Sequence, residues 1–169
     1  MRPDLSRVSP FYHGYINQVM ETGLPEAFEA HTKRFMDLLE STPAGKIDYA
    51  YAPGKWSIRE VLQHIIDTER VFSYRALSFA RKDPAPLPGF DENQYAANAG
   101  ASVRSWDELK EEFYLHRRSA WIMFTAFDAE QLEAAGVANN NALYVLAIGY
   151  ALVGHATHHL NIIRERYLS

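Results

Sequence analysis

Two Ser-x-x-Glu quartets, Ser57–Glu60 and Ser105–Glu108, each stand directly before a run of apolar residues at helical spacing. In that position serine and glutamate each satisfy a free backbone N–H of the other, which fixes where a helix begins. Behind Ser57, the residues Ile58, Val61, Leu62, Ile65, Ile66 and Phe72 recur with helical period and predict a helix to about Ala80. Behind Ser105, the residues Leu109, Phe113, Ile122, Met123 and Phe124 predict a second one ending near Phe127. Two further stretches share the period without a box. One runs roughly from Leu24 to Leu39, and the other from near Asn140 almost to the C-terminus through Leu143, Leu146, Ile148, Leu152, Leu160, Ile162 and Ile163. A shorter helical piece is predicted around Phe11 to Met20.

The breaks between these stretches are equally plain. Ser41-Thr42-Pro43-Ala44-Gly45 ends the first, and an acidic segment from Asp128 to Gly136 turns the chain before the last. Between them, Pro84, Pro86 and Pro88 put three prolines in five positions, which no helix interior accepts. The connection from there to about Arg104 is long, and such loops are often functional. No alternating strand segment competes with the helices. The expected fold is all-α: one four-helix-bundle domain over residues 1–169, with a long connection between helices 2 and 3 that argues against a short-loop, up-down-up-down order.

Composition narrows the function. Hydrophobic residues make up 47% and charged residues 22% of the 169, a globular balance. The net charge of -4 carries no basic excess to neutralise phosphates, so nucleic acid is not the expected partner. The absence of cysteine removes disulfides, thiolate metal clusters and a cysteine nucleophile, and it fits the cytosol. The first residues, MRPDLSRVSPFYHGY, contain no apolar core of a secretory signal, and about 18 consecutive apolar residues occur nowhere. A cytoplasmic protein without a membrane span is expected.

Chemistry concentrates in Gly154-His155-Ala156-Thr157-His158-His159-Leu160. His155 and His159 lie four apart on a helix and therefore share a face, as a pair of metal ligands must. The same stripe carries Ile148, Ala151, Leu152, Ile162 and Ile163, so the imidazoles face inward, where each needs a polar partner that a shared metal supplies. His158 lies about 100° around the helix and points away. His64, near the inward stripe of Val61, Thr68 and Val71, offers a third imidazole from a facing helix. Three histidines leave a coordination position open, the arrangement of a catalytic site.

Other residues rank lower. Asp67 is better placed than Glu69 to support a ligand histidine from behind, although solvent is the expected surrounding of both. Arg75 lies about 16 Å along the helix from His64 on nearly the same stripe. An inward-facing arginine needs a partner: an ion pair with a carboxylate on another helix is the favoured expectation, and binding of a substrate carboxylate is the alternative. His13, His31 and His116 read as surface or satisfied histidines. Trp56, Tyr74, Trp106 and Trp121 read as core, and Asn139-Asn140-Asn141 as a turn and cap.

The run Lys55 to Arg70, KWSIREVLQHIIDTER, resembles the second-helix motif of the DinB-like superfamily, and Gly154 to Leu168, GHATHHLNIIRERYL, resembles its fourth-helix motif. Leu87-Pro88-Gly89-Phe90-Asp91-Glu92-Asn93 is similar to a loop of the branch that contains bacillithiol transferases. The resemblance extends from Pro10-Phe11-Tyr12 to Tyr167-Leu168. It implies a four-helix bundle, commonly a homodimer, with one divalent metal, zinc or nickel, on His64, His155 and His159. Well-understood relatives transfer a low-molecular-weight thiol such as bacillithiol, mycothiol or glutathione; others are thiol-dependent isomerases or bear only a metal-dependent hydrolase label.

The leading expectation is a metal-dependent S-transferase joining a small thiol to an electrophile. The metal lowers the thiol pKa, and Phe90, Asp91 and Tyr95 form a lid. The alternatives are a hydrolase that activates water, with Asp67 as its base, and a non-catalytic metal-binding stress-response bundle.

Overall fold

Both serine boxes close as their spacing predicts. Glu60 donates its N–H to the Ser57 hydroxyl at 3.3 Å and its carboxylate accepts the Ser57 N–H at 2.7 Å; Ser105 and Glu108 repeat the exchange at 3.2 Å each way. Each cap contributes about 1 kcal/mol. The computed structural model describes residues 1–169 and contains four long helices: α1 (Leu24–Ser41), α2 (Ile58–Ala80), α3 (Trp106–Ala126) and α4 (Val145–Ile162). The all-α bundle expected from the sequence is the fold. No helix is long and apolar enough to cross a membrane.

Helix direction explains the long connection. Helices α2 and α3 each pack against one another and, with α4 and α1, close a four-cornered bundle in which α1 also packs on α3 and α4. The starts of α2 and α3 (Ile58, Leu109) meet the ends of α1 and α4 (Leu39, Ile163) in one apolar cluster. The opposite ends, including Phe79, Phe124, Leu24 and Val145, meet in the other. Neighbours α2 and α3 are therefore parallel, and residues 81–105 must return along the whole bundle before α3 can begin. On the way they form a short helix, Glu92–Asn98, capped by Asp91, which accepts the N–H groups of Asn93 and Gln94.

Several elements differ from the sequence reading. Residues Ala135–Ala138 (β1) and Asn141–Tyr144 (β2) pair as an antiparallel hairpin. Asn139 and Asn140 turn it with φ of 51° and 59°, the left-handed pair that a two-residue hairpin turn requires. Helix α4 consequently starts at Val145 rather than near Asn140, and Leu143 belongs to a strand. Four-residue strands are too short to register as an alternating pattern. Leu87 bonds to this hairpin through Val137 and Asn139, which pins the long connection at its start. The break after α1 also holds a short helix, Ala44–Ile47, and the predicted N-terminal piece reduces to a turn at Pro10–Tyr12 followed by His13–Ile16.

Between the two apolar clusters runs a polar layer to which every helix contributes. It consists of His31 from α1, Thr68 and Glu69 from α2, Arg117 from α3 and His155 from α4, all buried. Such groups are costly unless paired. Arg117 Nε donates to Glu69 Oε1 at 2.6 Å and Nη2 to the Leu152 carbonyl at 3.3 Å. His31 sits between Glu21 Oε2 at 2.9 Å and Thr157 Oγ1 at 2.5 Å. At His155, the nearest polar neighbours are other histidines.

Candidate metal centre

The four-residue spacing on α4 and the facing position on α2 bring three imidazoles to one point. Nε2 of His155 lies 3.1 Å from that of His64 and 3.2 Å from that of His159, and one ring nitrogen from each lies within 4.8 Å of the others. An ion about 2.0–2.1 Å from each nitrogen would space them by roughly 2.9–3.4 Å, so the donor set fits a divalent metal. Protons serve the arrangement poorly. His155 Nε2 offers one proton or one lone pair and faces two neighbours at once, whereas a cation between all three satisfies each.

Electrostatics keeps the donors neutral. Burial pulls the His64 imidazole down to about 4, with Glu92 opposing it. Burial, then the charges of His64 and His158, pulls His159 down to about 3. His155 falls well below the usual imidazole value for the same reasons. Near pH 7 all three lone pairs are free for a metal.

Local packing fixes these rings. Gly154 precedes His155 because a Cβ there would stand 2.0 Å from the Tyr15 carbonyl oxygen, so only glycine lets the N-terminal segment lie against α4. Tyr15 then meets His155 and His158 edge-on at 5.4 and 5.6 Å. Trp56 lies against His64 at 4.8 Å, and its carbonyl accepts the Tyr167 hydroxyl at 2.7 Å. Tyr167 ends a wide, π-type turn that continues α4 over Ile163–Tyr167. On the far side of its ring, His155 Nδ1 is buried with no partner.

The triad opens into a cavity of about 220 Å³ whose walls include Tyr12, Tyr15, Trp56, Phe72 and Phe90. Glu92 is the one carboxylate lining it. Arg75 lines it too, as its inward stripe predicts. Asp67 is directed elsewhere: its carboxylate accepts from Gln63 Nε2 at 3.0 Å and Arg70 Nη1 at 3.2 Å, and it does not line the cavity. Glu69, expected at the surface, is 1% exposed, because α2 is flanked by both α3 and α4 and buries two faces. His158 stays out of the triad but lines the cavity.

Among the proposed lid residues, Phe90 reaches the cavity and packs at a tilt, 5.0 Å between ring centres, against Tyr95, which is half-exposed, while Asp91 serves as a helix cap. Trp56 is a cavity wall as much as core, and Tyr74 is exposed. His13 is satisfied by the carbonyls of Leu5 and Val8, and His116 is half-buried away from the cavity. Sequence reasoning missed Tyr12, Tyr15 and Glu92. Only Gly154 signalled the close approach of the N-terminal segment, and Glu92 lay unremarked within the loop motif.

Comparison with known proteins agrees with this architecture. The family model of the DinB superfamily matches residues 27–163. A protein of Oceanobacillus iheyensis, provisionally named a metal-dependent hydrolase, is 26% identical over 138 residues, covering 80% of this chain and 79% of its own length. The solved structure of YfiT from Bacillus subtilis, described as a probable metal-dependent hydrolase with an unusual four-helix bundle topology, superposes with a TM-score of 0.73. That match has 14% identity and covers 84% of this chain and 82% of that one.

Proposed function

This chain belongs to the DinB superfamily, and from that premise we propose that it is a divalent-metal-dependent hydrolase acting on a small substrate in the aromatic cavity. The observation that carries the reading is the convergence of three neutral imidazole nitrogens beside a single carboxylate, Glu92. Three nitrogen ligands suit zinc or nickel. When bound, such an ion supplies Lewis acidity that favours the deprotonated form of a nucleophile. Glu92, at the start of its short helix, faces the triad closely enough to oppose the fall of the His64 pKa, and it is the group on hand to take the nucleophile's proton. Asp67, the base expected from the sequence, is engaged by Gln63 and Arg70 outside the cavity, and Glu92 takes its place in this reading. The hydrolase names of the two relatives support the same reading.

A second reading is the transfer of a low-molecular-weight thiol to an electrophile. It is favoured by Phe90, which belongs to the transferase-like loop motif and lines the cavity with the other aromatic walls, a surface suited to an apolar electrophile. The same ion and the same Glu92 would serve a thiol as they serve water. The experiment is elemental analysis of the purified protein, followed by two panels on zinc- and nickel-loaded samples. One panel holds chromogenic esters and amides without thiol. The other pairs bacillithiol, mycothiol or glutathione with monochlorobimane. Cleavage without thiol, reduced about 10²-fold or more by Glu92→Gln at unchanged metal content, is the expected result. Conjugation that needs thiol, with no cleavage, overturns hydrolysis in favour of transfer.

A further inference from the structure

Three arginines of α2 are held in different ways. Arg59 pairs with Asp48, and Arg70 with Asp67 and Glu112. Arg75 is only 3% exposed, yet it has no carboxylate partner. Nη2 donates to the Pro88 carbonyl at 3.1 Å, the guanidinium stands 5.5 Å over the Phe72 ring, and Nε is buried without a partner. Burial pulls the guanidinium pKa down, opposed by the neighbouring Tyr12. A desolvated cation with free donors is the surrounding an anion completes, and the planar fork fits a carboxylate or a phosphate.

Its place on the helix adds a second constraint. His64, Thr68, Phe72 and Arg75 all line the same cavity at helical spacing. Thr68 Oγ1, between the two ends, is also buried without a partner. From His64 to Arg75 the helix rises about 16 Å, a span that the inward-reaching side chains shorten. A ligand touching both ends is therefore elongated. Charge chooses between the two anions. Arg75 is the only cationic side chain of the cavity outside the histidines, and Glu92 is there as well. A singly charged group is matched by one guanidinium; a doubly charged phosphate would be left half-compensated near a carboxylate.

We propose that Arg75 is the carboxylate-binding residue of this site, and that the substrate is an elongated carboxylic acid whose charged end rests on Arg75 while its reactive group lies at the triad. The position of the reactive end rests on the metal-centre reading above; the Arg75 end does not. The test uses three six-carbon probes, hexanoate, 1-hexanol and hexyl phosphate, titrated calorimetrically into metal-loaded protein and into the same protein stripped by chelator. Hexanoate is expected to bind both forms, at least about tenfold more tightly than hexanol, and to weaken about tenfold or more in Arg75→Gln while hexanol does not change. Arg75→Lys, which keeps the charge, is expected to recover part of the affinity, whereas Gln keeps only a neutral amide donor for the Pro88 carbonyl; the difference separates recognition of the anion from anchoring of the connection. If Arg75→Gln fails to fold by far-UV circular dichroism, the Lys variant carries the test, with a several-fold loss for hexanoate alone.

Equal binding of hexanoate and hexanol, an unchanged affinity in the variants, binding of hexanoate to the metal-loaded form only, or tighter binding of hexyl phosphate would each overturn the proposal. Hexanoate binding through Arg75 in a protein that cleaves no ester would keep the subsite and remove the hydrolase. Ester cleavage indifferent to a remote carboxylate would do the reverse.

Discussion

Between α2 and α3 the polar layer buries Glu69 against Arg117, opposite charges 2.6 Å apart with side chains 1% exposed. Between α2 and α4 it buries His155 against His64, two neutral rings whose nitrogens face each other at 3.1 Å. The first cluster finds its partners within the protein: the guanidinium meets a carboxylate and a further guanidinium proton reaches the Leu152 carbonyl, although Glu69 Oε2 and Arg117 Nη1 stay without a partner. The second is complete only with a cation added. One bundle level thus holds a polar pair that serves the fold and another that serves a ligand. The difference lies in whether the protein supplies both partners. Arg75 resembles the second cluster: it is buried, and the protein supplies no charged partner for it.

The strongest way to break this contrast is to remove one charge from the first cluster. Arg117→Ala leaves Glu69 buried and unpaired and is expected to cost about 3–5 kcal/mol in urea unfolding of the metal-free protein. Folded protein of this variant is expected still to bind one metal per chain. Loss of metal at full stability would show instead that the two clusters are one unit.

His64→Ala is expected to act in the opposite sense. Metal content should fall from one per chain to near zero, and with it the stabilisation that metal confers, about 2.7 kcal/mol at a hundredfold excess over Kd. Metal-free stability should change by less than about 2 kcal/mol, since no charge is left uncompensated. Differential scanning calorimetry with and without chelator reads both quantities. A variant that unfolds without metal would make the triad a structural site.

The two clusters should also answer pH with opposite signs. Burial pushes the Glu69 carboxyl up to about 7 against the pull of Arg117. Its contribution is therefore full below the unfolded value near 4.5 and is lost as pH rises through 7. His64 and His159 sit at about 4 and 3 when folded, so their contribution is full above 6.5 and is lost as pH falls toward those values. Each group changes stability by at most about 1.4 kcal/mol per pH unit. In metal-free protein, Glu69→Gln should flatten the profile between pH 4.5 and 7, and His64→Ala should flatten it below 6.5. If either variant flattened the other's window, the assignment would fail.

What the chain revealed before its structure was known follows the range of the interactions. Helix starts at Ser57 and Ser105 depend on four consecutive residues and were legible. The His155/His159 pair depends on one helical turn and was legible too; His64 needed the family motif to join it. Glu92 was not, because it meets the triad only after parallel packing of α2 and α3 forces the connection back along the bundle. The hairpin escaped because its strands of four residues carry too little pattern. Glu69 was misplaced by a helical wheel that allows one buried face, whereas α2 has two.

Asp67 gives the smallest effect and the sharpest check on where the site ends. It follows His64 by three residues, close enough in sequence to pass for its support, and the wheel places it better than Glu69. The carboxylate instead accepts from Gln63 and Arg70, in a chain that continues through Arg104 and Glu112 on the outer side of α2 and α3. Its side chain is 20% exposed, and such part-exposed ion pairs contribute up to about 1 kcal/mol. Asp67→Asn should therefore lower stability by less than about 1 kcal/mol and leave metal affinity within about twofold, where loss of a true supporting group costs 10- to 100-fold. Isothermal titration with zinc separates the two. A tenfold loss would mean that the carboxylate turns inward when metal binds, and Asp67 would return to the site.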